Sequence, residues 1–404
     1  MNDTNYWLWL QYGVGYAGNI KQQLEYFKTP KAIYDSTSDE LINGGFSATV
    51  IKRLNQKSPL SFDETVDFCA EHSLKIITPD SEFYPKKLLE IENFPIVLYV
   101  RGDYTCLANG FNIAVIGSRT PCAYGEAAAR EIVSVLAKNS ATIVSGGALG
   151  LDSISHMEAM ENSGKTILVM GCGHGTKYLM ENSQLRKQVT MHGAVISEYP
   201  PFTPVGPGTF PQRNRIISAM CEGVVIIEAR MGSGTFSTAK HAKSHGRKLF
   251  VLPGDIKSGK FDGSNMLINE GAIPVFSGAD VLKSFKGRSF STVFKSHNEN
   301  ESFQGLNDDA SSSKKKRSTK KDKTTSAKPK TLEKKKNIPK KVPEGISKNA
   351  QIVYNIMSDD VCFLDEITRA SGLEVRKVLA ALTELEMFGA ISATAPNKYE
   401  LNYE

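Results

Sequence analysis

Seven short apolar runs recur along the middle of the chain, and helical patterns such as residues 125–139 lie between them. Each run is apolar at consecutive positions, so both faces of the strand that it forms are buried. Strands of this kind that alternate with helices predict a parallel sheet covered on both sides. We therefore predict an α/β fold, a Rossmann-like doubly wound parallel sheet. The runs are residues 112–118, 142–147, 166–173, 193–198, 223–229, 248–254 and 272–276.

The patterns on either side of this region predict further domains. Residues 1–70 read as short helices separated by glycine turns, either a SAM or helix-hairpin-helix element or a plain helical bundle. We assign 71–285 to the Rossmann-like domain, with 71–111 as its N-terminal extension. Three helical patterns and a hairpin in 344–404 predict a winged helix.

The basic charge of the chain is concentrated in one segment. The net charge is +6 overall, but residues 314–341 contain fourteen Lys or Arg and two Asp or Glu, so the remainder carries −6. Residues 286–343 are rich in Lys, Ser and Thr and have few large apolar side chains, which predicts a disordered linker. Such a segment either binds nucleic acid weakly through its lysines or acts as a solvated tether.

The remaining composition excludes several classes of protein. The six cysteines form no CxxC pair, and Cys172 with His174 supplies only two potential ligands, so we expect no metal site. We expect no signal peptide and no membrane span, because no apolar run approaches the length of about 18 residues that a span needs. These features favour a cytoplasmic protein.

Small polar residues follow most strands of the predicted sheet. We identify them as Gly117, Ser118 and Arg119 after the first strand, Ser145, Gly146 and Gly147 at the second, and Gly232, Ser233, Gly234 and Thr235 after the fifth. Glycine turns let backbone N–H groups approach an anion, and a following helix adds its positive end. With Arg213 and Arg215, they predict a phosphate-binding surface at one edge of the sheet.

Aromatic residues near these turns are candidates for stacking against bases. They are Phe202, Phe210 and Phe236, for which packing in the core is the alternative. The first strand is followed by neither GxGxxG nor a Walker A motif, so we expect no dinucleotide, no ATP hydrolysis and no bound cofactor. His156 follows Asp152 by four residues, a spacing more typical of a packed histidine than of a base, and we predict no catalytic residue.

The ordered motifs from residue 83 to 279 resemble the DNA-processing protein A family (DprA, also called Smf). The strongest are Phe210-Pro211 with Arg213-Asn214-Arg215-Ile216-Ile217, Ser233-Gly234-Thr235 with Thr238-Ala239, and Leu267-Ile268 with Gly271-Ala272. The resemblance implies a protein that binds single-stranded DNA, loads the RecA recombinase in transformation or recombination, and forms a homodimer through the sheet domain. It implies no enzyme activity. It also adds Gln212, Asn214 and Lys240 to the predicted DNA-binding residues.

The chain departs from the family pattern at three positions. Leu149 stands where the family usually has Arg, and Gly175 and Leu179 replace its usual Asp and Pro. The missing arginine removes one expected phosphate contact.

Two other functions compete with this interpretation. A nucleotide phosphoribohydrolase of the LOG group has a similar sheet, but Thr238 stands where those enzymes carry the catalytic Glu, and threonine is no general acid or base. A regulator of double-stranded DNA would use the helix within residues 374–389, in which three glutamates oppose one arginine and one lysine. That balance instead favours protein interaction or weak DNA binding.

Overall fold

The computed structural model describes residues 3–16, 18–57, 60–108, 110–206, 208–285, 346–357, 362–395 and 398–401. The chain divides into two compact units, Met1–Phe303 and Gln304–Glu404. The predicted linker, 286–343, lies outside the described residues. In the part of the chain that the structure describes, no helix is long and apolar enough to cross a membrane.

Nine strands of the first unit form one sheet within the described residues, in the order β1-β2-β6-β5-β4-β3-β7-β8-β9. The strands β3 to β9 run parallel to one another, whereas β2 is antiparallel to both β1 and β6. The strands are β1 (Lys75–Ile77), β2 (Leu98–Gly102), β3 (Phe111–Ile116), β4 (Ala141–Ser145), β5 (Thr166–Val169), β6 (Gly193–Ser197), β7 (Gly223–Ile226), β8 (Lys248–Val251) and β9 (Ile273–Pro274).

The central strands are buried along their whole length, as their continuous apolar sequences require. Every residue of β3, β4, β5, β6 and β7 is buried. Helices supply the cover that a parallel sheet needs on both faces. They are α7 (Ala123–Lys138), α8 (Leu151–Glu161), α9 (Ser183–His192), α10 (Thr209–Ala219), α11 (Thr235–Ser244), α12 (Asp262–Asn269) and α13 (Gly278–Lys283). The predicted doubly wound α/β fold is confirmed.

The strand order places a switch point beside β3. The chain builds outward from β3 through β4, β5 and β6 on one side, and then returns to place β7 on the other. The connections that leave β3 and β7 therefore diverge at their carboxyl ends. In open α/β sheets such a divergence creates the crevice in which ligands bind.

Six helices precede the sheet among the described residues of the same compact unit. They are α1 (Asp3–Val14), α2 (Lys21–Phe27), α3 (Pro30–Asp35), α4 (Ser38–Asn43), α5 (Ala48–Leu54) and α6 (Leu60–Glu71). Gln11 fastens α1 to the sheet, because its Nε2 donates to the Glu198 carbonyl at 2.9 Å and its Oε1 accepts from the Tyr99 hydroxyl at 2.8 Å. The apolar core also runs without a break from Trp9 in α1 to the central strands. The boundary at residue 70 stays a prediction.

The second unit has three helices and a small sheet among its described residues. The helices are α14 (Lys348–Ile356), α15 (Leu364–Ser371) and α16 (Val375–Met387), and the strands are β10 (Cys362–Phe363), β11 (Ile391–Ala395) and β12 (Lys398–Leu401). The strands pair antiparallel in the order β10-β12-β11. This is the arrangement of a winged helix, as predicted.

Candidate nucleic-acid interface

A cavity of about 470 Å³, which we name the edge cavity, opens at the carboxyl ends of β3 and β7. Its wall is formed by residues 117–120 after β3, by one side of α10, and by the start of α11. A smaller side cavity adjoins it and shares Arg119, Ala148, Phe210 and Arg213. The edge cavity thus occupies the switch point of the sheet, the expected place for a ligand.

Arg213 is the fixed cation of the edge cavity. Its side chain is buried on α10, where Nη1 donates to the carbonyl of Gly146 at 2.7 Å and to that of Val169. Its Nε donates to Asn214 Oδ1 at 3.2 Å. Burial lowers the pKa of Arg213 and the nearby Asp152 carboxylate opposes that shift, but a guanidinium stays protonated in proteins. The structure therefore presents a permanent positive charge in one orientation.

Gly146 makes room for this arginine. A Cβ atom at residue 146 would lie 2.6 Å from Arg213 Nη2 and 2.8 Å from Asp152 Oδ2. Any side chain here would push the guanidinium out of its position. Gly117 has a comparable role in the neighbouring turn, because a Cβ there would lie 2.4 Å from Leu151 Cδ1.

Arg119 is the exposed cation of the edge cavity, and it lines the side cavity as well. The backbone around it is well held. The Ser118 carbonyl accepts from the Leu151 N–H at 3.1 Å, and Glu228 Oε2 accepts from the Cys122 N–H at 2.9 Å. Because the loop backbone is already held, a ligand needs to order only the Arg119 side chain.

The start of α11 supplies the third positive element. Ser233, Gly234 and Thr235 line the edge cavity at the N-terminus of this ten-residue helix. A Cβ at Gly232 or Gly234 would meet no atom within 4 Å, so the approach to the backbone is open on this side. The free N–H groups and the dipole of a helix N-terminus attract anions.

Two buried carboxylates balance part of this charge. Asp152 and Glu228 both line the edge cavity, which also receives Arg119, Arg213 and Arg230. Burial raises the pKa of Asp152, and the Arg213 charge opposes that rise. Three guanidiniums and a helix N-terminus outweigh two carboxylates, so the cavity favours an anionic ligand.

Several predicted residues lie at this site without lining the edge cavity. Gly146 and Gly147 line the side cavity, and Gly147 has a positive φ of 67°. Gln212 is exposed on α10, and Gly232 is exposed just before α11. The predicted residues that line the edge cavity itself are Gly117, Ser118, Arg119, Phe210, Arg213, Asn214, Ser233, Gly234 and Thr235.

Arg215 is placed away from the predicted phosphate site. Its side chain is 1% exposed and its Nη2 pairs with Glu198 Oε2 at 2.5 Å. Residues two apart on a helix point in directions about 200° apart, so Arg213 and Arg215 cannot face the same cavity. Arg215 instead fixes α10 against the end of β6, and we correct its predicted role from ligand contact to support.

Ser145 is also internal. It is 0% exposed, and its Oγ donates to the Val115 carbonyl at 2.7 Å, which ties β4 to β3. Its hydroxyl is therefore committed to the sheet and does not face a ligand.

Phe236 and Lys240 lie at a different cavity of about 480 Å³ between α11 and α12. Residues Ser237 and Thr238 of the same helix face the edge cavity, and the helical repeat turns Phe236 and Lys240 to the other side. We therefore remove both from the candidate phosphate site.

The other two aromatic candidates, Phe210 and Phe202, lie in different places. Phe210 lines both the edge cavity and the side cavity, with its ring 5.8 Å from Arg213 Cζ and 5.3 Å from the Tyr178 ring. Phe202 is 54% exposed and packs edge-on against Phe68, and it lines neither cavity. Of the three predicted aromatic residues, Phe210 is thus the one that lines the edge cavity.

The sequence did not single out Arg230, Arg186 or Glu228 as site residues. Glu228 and Arg230 lie in the loop after β7, and a search of every residue in the loop after each strand would have found them. Arg186 lies on α9 and reaches the side cavity, where its guanidinium donates to the Tyr178 and Leu179 carbonyls. Only the fold brings that residue to the site.

His156 is a packed core residue. It is 0% exposed, and its Nδ1 lies 2.7 Å from Thr166 Oγ1, which itself donates to the Ile143 carbonyl at 2.9 Å. Nδ1 therefore carries the proton and donates to Thr166. Burial lowers the pKa of His156 to about 3, with the Arg213 charge as a second cause.

The cysteine and histidine considered as metal ligands have other contacts. Cys172 Sγ accepts from the Thr176 hydroxyl at 3.1 Å, and His174 Nε2 donates to the Tyr99 carbonyl at 2.9 Å. No group of three or more His, Cys, Asp or Glu suited to a metal ion occurs among the described residues.

Comparison with known families identifies both units. Residues 75–286 match the family model of the DNA recombination-mediator protein A, and residues 338–395 match the DprA winged helix domain. The first match covers the whole sheet and the edge cavity.

Individual proteins agree with these matches. Protein Smf of Escherichia coli is 32% identical over 287 residues, which cover 71% of this chain and 76% of that protein. The DNA processing protein DprA of Streptococcus pneumoniae is 40% identical over 203 residues, 50% of this chain and 71% of that protein. The X-ray structure of DNA processing protein A from Streptococcus pneumoniae superposes with a TM-score of 0.63 at 32% identity, covering 71% of this chain and all of that one.

A parallel sheet with an arginine-lined cavity at its switch point, a winged helix, and matches that span both units lead to one conclusion: the chain belongs to the DNA recombination-mediator protein A family, DprA/Smf.

Proposed function

We propose that this protein binds the phosphate backbone of single-stranded DNA in the edge cavity. The observation that carries the proposal is the convergence of Arg213, Arg119 and the N-terminus of α11 on one cavity at the switch point of the sheet. The family and its DNA-processing relatives support DNA as the ligand.

The three positive elements suit a phosphate diester in different ways. Arg213 is held by two carbonyls and offers its remaining N–H groups in a fixed direction. Arg119 is exposed on the loop after β3 and offers a second guanidinium to the phosphate. The α11 N-terminus adds backbone N–H groups near Gly234. Because none of these elements reads a base, the binding is independent of sequence.

Phe210 gives this site a means to favour a single strand. Its ring lines the cavity wall beside Arg213 and packs near Tyr178. A base freed from a duplex can stack on such a ring, and base stacking on an aromatic side chain is worth about 1–3 kcal/mol.

The proposed role in the cell follows from the family. The protein protects incoming single-stranded DNA in the cytoplasm and loads the RecA recombinase onto it, in natural transformation or in recombination. We propose that it works as a homodimer through the sheet domain. The two-residue strand β9 leaves a short sheet edge, beside which Ile273 and Phe276 are 38% and 69% exposed.

The proposed function requires no catalysis at the edge cavity. Thr238, which stands where the LOG-group enzymes carry their catalytic Glu, is 2% exposed and lines the edge cavity. A threonine hydroxyl at neutral pH transfers no proton to a leaving group.

Fluorescence anisotropy of the full chain with labelled oligo(dT) and with a duplex of equal length tests DNA binding. We expect oligo(dT) to bind more tightly at both 50 and 200 mM salt, conditions that separate ionic contacts. Arg119→Ala removes one phosphate contact, so the slope of the logarithm of the binding constant against the logarithm of the salt concentration should become shallower by about 0.7. The control is Arg53→Ala, an equal change of charge on an exposed residue of α5. Equal effects of both variants would reject the edge cavity as the binding site.

A second assay tests the loading step. RecA filament assembly on single-stranded DNA is followed in the presence of wild type, Arg119→Ala and Arg53→Ala. We expect wild type and Arg53→Ala to accelerate assembly and Arg119→Ala to fail. DNA binding without any acceleration by wild type would retain the binding site and reject the loading role.

A further inference from the structure

Three exposed apolar side chains directly follow, along the chain, residues that line the edge cavity or its side cavity. Leu149 is 45% exposed, Met180 is 58% exposed and Met231 is 56% exposed. Each directly follows a residue that lines one of the two cavities, namely Ala148, Leu179 and Arg230. We name these three side chains the apolar rim.

The rim residues come from three different loops. Leu149 follows β4, Met180 follows β5 and Met231 follows β7. Single exposed apolar residues are ordinary on a protein surface, but here three separate strand-end loops each place one at the same edge of the sheet. No packing requirement explains them, because about half of each side chain is exposed to solvent.

The rim residues are unusual in being apolar and exposed next to a buried cation. Charged side chains normally lie outermost and apolar ones lie beneath them. At this edge of the sheet the Arg213 side chain is only 6% exposed, whereas about half of each rim side chain is exposed, next to the exposed Arg119 and Arg230. The surface fits a ligand whose charged group enters deeply and whose apolar parts remain at the mouth.

We propose that the apolar rim binds the faces of unstacked bases in a single-stranded nucleic acid whose phosphates occupy the edge cavity. This inference rests on the proposed function and deepens it. A duplex keeps its bases stacked and paired, so it can offer phosphates to the arginines but no base faces to the rim. Leu149, Met180 and Met231 thus become determinants of the preference for single strands.

Methionine suits such a surface because its flexible, polarisable side chain adapts to different partners. A flat base of any identity can be covered by it, so the contact adds affinity without sequence preference. The rim acts by contact area and not by charge, and its contribution should be independent of salt.

The test compares two ligands of equal length in fluorescence anisotropy with the full chain. One is oligo(dT), and the other is an oligomer of abasic sites, which keeps the phosphates and lacks the bases. The rim variant is Leu149→Gln/Met180→Gln/Met231→Gln. The control is Ile42→Gln/Met191→Gln, which changes side chains that are 59% and 73% exposed elsewhere on the chain. Thermal unfolding of each variant checks that the fold is retained.

We expect the rim variant to bind oligo(dT) about tenfold more weakly, the effect of uncovering about 60 Å² of apolar contact. Its affinity for the abasic oligomer and its salt slope should match wild type, and the control should match wild type with both ligands. Equal weakening with both ligands, or no weakening with oligo(dT), would overturn the inference. The proposed function is tested separately by Arg119→Ala with the abasic oligomer, since unchanged affinity there rejects the phosphate site itself.

Discussion

Gly146→Ala should damage both stability and DNA binding, because this glycine makes room for the Arg213 guanidinium. The new Cβ would lie 2.6 Å from Arg213 Nη2, whereas ordinary contact begins at 3.4 Å, so the guanidinium must retreat by about 0.8 Å. The bond from Nη1 to the Gly146 carbonyl is now 2.7 Å, and a retreat of that size stretches it beyond the normal range. No backbone strain adds to this effect, since the φ angle of Gly146 is not positive.

The size of the loss follows from those contacts. A hydrogen bond from a charged donor contributes about 1.5–3 kcal/mol, so we expect the free energy of unfolding to fall by about 2–3 kcal/mol. The displaced cation should also weaken oligo(dT) binding about tenfold. Urea unfolding and anisotropy measure the two effects, with Gly208→Ala as the control, since a Cβ there meets no atom within 4 Å. Wild-type affinity in Gly146→Ala would refute the role assigned to Arg213.

Three further predictions concern residues behind and beside the edge cavity. Glu198→Ala leaves the Arg215 guanidinium buried without its partner, which should lower the free energy of unfolding in urea by about 3–5 kcal/mol. The double variant Glu198→Leu/Arg215→Met should recover most of that loss. Burial holds the pKa of His156 at about 3, so the unfolded chain alone gains a proton between pH 6.5 and 3. The contribution of His156 to the free energy of unfolding is therefore complete above pH 6.5 and falls by about 2 kcal/mol by pH 5. Thermal unfolding of His156→Leu should lack this pH-dependent loss. Phe210→Ala should weaken oligo(dT) binding about tenfold and Phe236→Ala should not, and the reverse result would move the DNA to the cavity between α11 and α12.

The fold was accessible from the sequence because burial leaves a local signature. The stretch from Ile113 to Ile116 is apolar at every position, and that pattern is typical of a strand with helices on both faces of its sheet. The glycine turns after β3 and before α11 were equally visible, and the structure places both at one cavity. The strand order determines where these turns meet. In open α/β sheets the binding crevice forms where the strand order reverses.

The direction of individual side chains was harder to obtain. Arg213 and Arg215 stand two residues apart in one motif. Because of the helical repeat, Arg213 lies on the cavity wall whereas Arg215 is buried and pairs with Glu198. For the same reason Phe236 and Lys240, which the sequence placed at the phosphate site, lie at the cavity between α11 and α12. Contacts between distant segments leave no local signal at all. The bond from Gln11 to the Glu198 carbonyl joins residues 187 apart, and no sequence pattern predicts it.

A crystal structure of the full chain with a short oligo(dT) tests the central claim most directly. The measured quantity is the distance from the nearest phosphate oxygen to the guanidinium nitrogens of Arg119 and Arg213. We predict a phosphate within about 3 Å of both groups, at the N-terminus of α11. DNA bound at another surface, with the edge cavity free of phosphate, would contradict the account.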